Sequence, residues 1–195
     1  MRRVAPIVIL CAVAAVATGC ASTPSHFYTL SGTAMPVTTS SNLSVVVGPV
    51  SIPAIVDLPQ IVVSTGPNQV MLDEHNRWAS PLQNNIARVV AENLVAILGT
   101  PRVTLFQQSL NAEADYRAAI EVHSFESVPG EAATLDAVWI VRRTRDGRAE
   151  TGRTTVREPA QEKGYAALAA AHSRALARLS QDVAEVIRVQ SRAAP

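Results

Sequence analysis

Asp146-Gly147 is the dipeptide that most narrows what this chain can become. Aspartate followed by glycine accepts the positive-φ turn that folds one strand back on the next, and here it stands between two stretches patterned as strands. With those two residues as the turn, Arg143 lies against Glu150 and Asp136 against Arg157, so opposite charges meet twice. Each such cross-strand pair contributes about 0.2–1 kcal/mol. The same register sets Trp139 against Thr154 and Val141 against Gly152, where the missing side chain leaves room for the indole to spread. The first strand is apolar on both sides, with Leu135, Trp139 and Val141 on one and Val138 and Ile140 on the other. A strand of that kind is expected to be covered on both faces.

Two helical stripes can supply cover. Leu82, Ile86, Val89, Val90, Asn93, Leu94, Ile97 and Leu98 recur at helical spacing. Ser80 stands where it can cap that helix, Pro81 suits its first position, and Gln83 completes a capping box. Gly99 and Pro101 end it. From about Glu162 to Val189, residues including Tyr165, Leu168, His172, Leu176, Leu179, Val183 and Ile187 form the second stripe. Strand patterns fall at "HFYTL" (26–30), "LSVVVGPV" (43–50), "RVTLF" (102–106) and "YRAAIEVHSF" (116–125). Another hairpin, "QIVVST" and "QVMLD", turns at Gly66-Pro67-Asn68. The run at 43–50 is short, continuous and β-branched, as in a strand buried on both faces. Two helices and about seven strands predict an α/β fold, a mixed β-sheet with two main helices packed on it.

The start of the chain has a different character. Arg2 and Arg3 precede an apolar stretch of 14 residues, Val4 to Ala17, which is shorter than the roughly 20 that span a bilayer. A basic start, an apolar run and small residues form a secretory leader. Ala17-Thr18-Gly19-Cys20 resembles a bacterial lipobox, in which the cysteine becomes the first mature residue and carries lipid; Ala17 stands where Leu or Val is usual. The segments are therefore 1–19 as leader, 20–42 as lipidated cysteine and Ser/Thr/Pro-rich tether with a short strand at 26–30, and 43–190 as a single domain. After cleavage Cys20 is the one thiol, so no internal disulfide can form. A triacylated, palmitate-bearing Cys20 holds more than one buried chain, the condition for stable anchoring. Asp is absent after Cys20, which by resemblance to bacterial lipoproteins points to the periplasmic face of the outer membrane.

Loss of Arg2 and Arg3 with the leader changes 17 basic and 16 acidic residues to 15 and 16. That near-neutral balance speaks against a nucleic-acid binder. Neither a nucleophile elbow, a phosphate-binding glycine loop nor a paired His or Cys metal spacing occurs, so the chain reads as no enzyme, with no metal and no cofactor beyond the lipid on Cys20. His26, His75, His123 and His172 are scattered; His123 and His172 read as satisfied or half-buried, and Asp73-Glu74-His75 as a solvated loop. The one basic concentration is Arg142, Arg143, Arg145, Arg148, Arg153 and Arg157. It reads either as a solvated hairpin or as a surface for an acidic partner or anionic headgroups.

"FYTL" after the cysteine, "VVVGPVSIPAIVDLPQIVV", and Arg77-Trp78-Ala79 with Pro81-Leu82 together resemble the ABC-type transport auxiliary lipoproteins, the PqiC-like family. The Trp139 strand and the "YAALAAAHSRALARLSQDVAEVI" helix complete the resemblance, which runs from about 26 to 188. It implies a fold like the amino-terminal domain of TolB and no catalytic residues. It further implies an outer-membrane lipoprotein of an MCE-type, Pqi-like or ABC-linked lipid transport system, docking an inner-membrane-anchored MCE-domain protein and supporting envelope integrity. A homo-oligomeric ring is compatible with that role. Ile52, Pro53, Ile55, Val56 and Leu58, among prolines, and Arg142, Arg145 and Arg148 are the candidate partner contacts. A carrier of lipid or another apolar solute, and a structural envelope-assembly lipoprotein, are the alternatives.

Overall fold

The computed structural model describes residues 23–106 and 114–193. The leader and Cys20 lie outside the described residues. The elements run β1 (His26–Tyr28), β2 (Val45–Ser51), β3 (Gln60–Gly66), β4 (Gln69–Trp78), α1 (Leu82–Leu98), β5 (Val103–Leu105), β6 (Tyr116–Val128), β7 (Ala132–Arg143), β8 (Ala149–Pro159) and α2 (Tyr165–Arg192). The α/β class holds, with the strands divided between two mixed sheets: five strands in the order β5-β2-β6-β7-β8 and three in the order β1-β4-β3. β2 is parallel to both β5 and β6, whereas β6, β7 and β8 form an antiparallel meander. The helices pack side by side on one face of the larger sheet, α1 over β2 and β5 and α2 over β6, β7 and β8.

Alternation along each strand selects what meets the helices. Val45 and Val47 of β2, Tyr116, Ala118 and Ile120 of β6, and Leu135, Ala137, Trp139 and Val141 of β7 are buried against Leu168, Leu176, Leu179 and Ile187 of α2 and Leu94 of α1. Val46 is buried as well, so β2 is covered on both faces as expected. β7 is not. Its second face carries Val138 half-buried and Ile140 39% exposed, because both helices lie on the other side.

The β7–β8 register differs from expectation by two residues. Trp139 pairs with Gly152, Val141 with Glu150, Asp136 with Thr155 and Thr134 with Arg157. The connection has four residues, 144–147, closed by Arg143 N–H to the Arg148 carbonyl and by Gly147 N–H to the Arg143 carbonyl. Gly147 supplies the left-handed position, φ 72°. A two-residue shift preserves each residue's face, so the inward residues remain as read. The charges re-pair locally: Arg153 with Asp136, Arg143 with Asp146, and Arg157 with Glu131.

No side chain caps α1, and its first non-helical residue is Pro81. Gln83 does not close a capping box; its side-chain amide donates to the Val50 carbonyl and ties the helix to β2. Gly99 ends the helix as expected, with φ 64° and its N–H on the Val95 carbonyl.

Much of the stretch expected as tether is fastened down. Leu30 is 1% exposed, and Asn93 Oδ1 accepts the N–H groups of Thr33 and Ala34, each at 3.0 Å. Ser173 Oγ accepts Ser31 N–H, while Val37 and Ser41 donate to the carbonyls of Ala96 and Gly99. Polar residues on the helix faces thus convert a Ser/Thr-rich segment into a strap across α1 and α2. Gly99→Ala tests that strap: an added Cβ falls 2.0 Å from the Thr39 carbonyl oxygen, at a φ that already disfavours a side chain. The expected result is faster amide exchange at Val37 and Ser41 and proteolysis within 35–41, with the remainder of the fold protected.

Candidate docking surface

On β6, β7 and β8 the side of the larger sheet away from the helices is built from residues alternate to the core, beside the buried Val46 of β2. Arg117 of β6 stands directly opposite Arg142 of β7, and Ala119 opposite Ile140. Ile140 in turn faces Thr151 of β8. Two arginines in direct cross-strand opposition destabilise an isolated sheet. Arg142 donates to the Gly147 carbonyl at 3.1 Å, and Arg117 has no side-chain hydrogen bond or ion pair among the described residues. The acidic groups of this face are already engaged. Asp136 accepts two hydrogen bonds from Arg153, at 2.8 and 2.6 Å, and one from Thr155. The Arg153 guanidinium holds its carboxyl down at about 2. Glu121 lies 3.3 Å from His123.

The β7–β8 turn extends the basic region. Arg145 and Arg148 are exposed and form no side-chain ion pair among the described residues. Arg143, at the base of the turn, points inward instead. It is 6% exposed and donates to Asp146 at 3.0 and 2.5 Å and to the Gln190 carbonyl at 2.7 Å. That guanidinium is the main reason the Asp146 carboxyl is pulled down to about 2. Of the six arginines singled out in the sequence, Arg143, Arg153 and Arg157 therefore close the hairpin. Arg142, Arg145 and Arg148 remain exposed, and Arg117, half-buried, lies on the same side of the sheet as Arg142. Arg117 was missed because the turn at Pro129-Gly130 does not give the β6–β7 register; its cue is its place between Tyr116 and Ala118 on the alternate face of β6.

The apolar candidates fare differently. Val56 is buried, Ile52, Pro53 and Leu58 are half-buried, and Ile55 alone is largely presented to solvent at 55%. The segment is a turn, closed by Val56 N–H to the Pro53 carbonyl, and it mostly folds under rather than outward. Trp78 is core, edge-on to Phe125 at 6.3 Å.

Asp73-Glu74-His75 lies on β4 rather than in a loop. Asp73 accepts from the Tyr165 hydroxyl at 2.7 Å and from the backbone N–H groups of His75 and Asn76, and the Tyr165 bond leads in lowering its pKa. Glu74 turns to Arg77 and Gln60, so the three side chains do not converge. His172 is fully buried, its Nε2 2.8 Å from Ser127 Oγ and its ring stacked on Phe125 at 3.7 Å. Nδ1 has no partner among the described residues, and burial pushes its pKa down to about 3. The Ser127–His172 pair is enclosed in the core.

No helix among the described residues is long and apolar enough to cross a membrane, and they hold no cluster of three or more His, Cys, Asp or Glu fit for a metal. A sequence profile described as the ABC-type transport auxiliary lipoprotein component matches residues 28–184. The crystal structure of protein XCC0632 from Xanthomonas campestris, of family DUF330, superposes with a TM-score of 0.70 at 23% identity, covering 87% of this chain and 99% of that one. A crystal structure of an uncharacterized protein also reaches 0.70, at 21% identity, over 85% of this chain and 99% of that one. These structures share the fold. Comparison with curated proteins finds no match.

Proposed function

The chain belongs to the ABC-type transport auxiliary lipoprotein family, and on that premise we propose that it anchors one end of an MCE-type lipid transport system at the outer membrane. In this reading Cys20 carries the lipid, and the arginine-lined end of the domain docks an inner-membrane-anchored MCE-domain partner that spans the periplasm. The family is one of auxiliary transport components, and in this reading the domain acts through what it binds.

The observation that carries the docking reading is the Arg117–Arg142 opposition. Like charges set against each other cost stability in the free domain. A partner carboxylate or phosphate laid between them turns that cost into charge-assisted, bidentate contacts. Ile140 and Ala119, the next pair along, add an apolar contact beside the two arginines, with Glu121 and Val138 as the pair beyond them. A lipid anchor adds to this by holding the domain at high effective concentration near the partner.

The test is a photo-crosslinking residue at Ile140 in the full-length protein in cells, with products identified by mass spectrometry. An MCE-domain protein is the expected product, and Arg117→Glu with Arg142→Glu should reduce its capture tenfold or more, since both side chains lie outside the core. Recovery of lipid with no protein partner overturns docking in favour of a carrier. Recovery of peptidoglycan or other outer-membrane proteins alone points to a structural lipoprotein. A ring of identical subunits would show as a ladder of self-crosslinks.

A further inference from the structure

Val70, Met71 and Leu72 of β4 are 43%, 47% and 43% exposed. Successive strand residues point to opposite faces, so three consecutive exposed apolar residues mean that this part of the hairpin presents both faces to solvent. β1 pairs with β4 only at Asn76–Trp78, and the outer edge of β4 from Gln69 to His75 is unpaired among the described residues. From Leu58 to Leu72 the chain contains no charged residue. Soluble edges are normally protected by charge, proline or a covering element. Here Pro67 occupies the turn, and the exposed strand beyond it carries no charge before Asp73.

The direction of the chain supplies the occupant. β1 is parallel to β4, with His26 level with Asn76, so the N-terminal end of β1 points toward the hairpin tip. Six residue steps separate Cys20 from His26, and six separate Val70 from Asn76. At about 3.3–3.6 Å per step, six steps allow a reach of at most about 20–22 Å from β1, which matches the level of Val70. Phe27, at the foot of that path, is 64% exposed.

We propose that the tip of the β3–β4 hairpin, through Val70, Met71 and Leu72, rests in the headgroup–acyl boundary of the bilayer that holds the Cys20 lipid. This rests on the reading of Cys20 as the lipidated residue. The contact is interfacial and does not span the membrane, because the unpaired edge of β4 needs water or headgroups for its hydrogen bonds. An uncharged tip brings no charge to desolvate.

The consequence is orientation. Ser64 of the hairpin donates to Glu126 at 2.7 Å, near the C-terminal end of β6. Arg117 and the arginine turn lie at the opposite end of that strand, where Tyr116 pairs with Arg143. About ten residues of strand, roughly 30 Å, separate them. Seating the hairpin in the membrane therefore directs the arginine end into the periplasm. A lipid on a short tether does not by itself set that direction.

The experiment uses the full-length lipoprotein in phosphatidylethanolamine–phosphatidylglycerol vesicles, with Met71→Trp and, as control near the arginine end, Val189→Trp. Native Trp78 and Trp139 are both 6% exposed and give a common background. Lipids brominated at different depths should quench the Met71→Trp fluorescence, most strongly near the headgroup–acyl boundary, and leave Val189→Trp unaffected. Equal quenching at both sites, or none at Met71→Trp, overturns the orientation. So does blue-shifted emission without bromolipid quenching, which assigns the patch to a second copy or a protein partner. The intact mass separates the two readings. An unlipidated Cys20 overturns the anchor together with the orientation, whereas a lipidated chain with an unquenched hairpin overturns the orientation alone.

Discussion

Gly152→Ala is expected to lower the unfolding midpoint by roughly 6–12 °C. A Cβ built on Gly152 falls 2.1 Å from the Cζ2 and 2.3 Å from the Cη2 of the Trp139 ring. The indole has no easy retreat: it is 6% exposed, and its Nε1–H donates to Thr154 Oγ1, which donates in turn to Asp182. Overpacking of this kind costs about 1–3 kcal/mol, and a site closed on several sides belongs near the upper value. Each kcal/mol moves the midpoint of a domain of this size by about 2–4 °C. The backbone at Gly152 is not in the left-handed region, so steric contact is the whole effect. Repeating the substitution in a Trp139→Leu background isolates it. There the added methyl should cost under about 1 kcal/mol, giving a coupling of about 2 kcal/mol in a double-mutant cycle. Equal costs in both backgrounds would show that the ring is not what Gly152 accommodates.

The same pair shows how far the sequence carries. Asp146-Gly147 located the hairpin, and alternation placed Trp139 inward beside a glycine on the facing strand. The register slipped by two because Arg143, read as a cross-strand partner of Glu150, instead grips Asp146 within the turn. An ion pair three residues apart lengthens the connection, and side-chain patterning with period two does not distinguish registers that differ by two. Helix faces were legible for the same reason in reverse: a 3.6-residue period over long segments admits one solution. What the apolar stripes did not reveal was the strap. Its marks in the sequence are Asn85 and Asn93, polar residues on an otherwise apolar face, and their meaning depends on partners far earlier in the chain, the Thr29 hydroxyl and the Thr33 and Ala34 N–H groups.

The candidate surface was legible in part. Arg142, Arg145 and Arg148 are outward, as read, because strand alternation and an exposed turn are local properties. Arg117 joins them only through the β6–β7 pairing, which is a property of the sheet. The segment 52–58 was open in the sequence because apolar residues among prolines look alike whether they fold under or project. Val56 fills the core and Ile55 does not, a distinction set by one turn of chain.

His172 makes the second large prediction. On the helical stripe it reads as a satisfied or half-buried histidine; it is completely buried, with Phe125 against its ring and Ser127 on Nε2. Desolvation alone pushes its pKa from 6.5 down to about 3, and no neighbouring charge contributes. The native ring therefore stays neutral while the unfolded chain takes up a proton below about pH 6.5. Its effect on stability is absent above that pH. Stability then falls at about 1.4 kcal/mol per pH unit as pH drops toward 3, reaching about 3 kcal/mol by pH 4.5. Asp73, Asp115, Asp136 and Asp146, whose pKa values are lowered, act later: their stabilisation is lost only as pH falls below their ordinary value near 4. The interval from 6.5 to 4.5 thus isolates the histidine. Urea unfolding across that interval should show the slope in the native sequence. The slope should be greatly reduced in His172→Leu combined with Ser127→Ala, where no hydroxyl is left unpaired. The double variant is less stable at pH 7 through lost packing, so the diagnostic quantity is the slope and not the midpoint. A slope that survives the substitution places the proton on another group and removes His172 from the acid sensitivity of the fold.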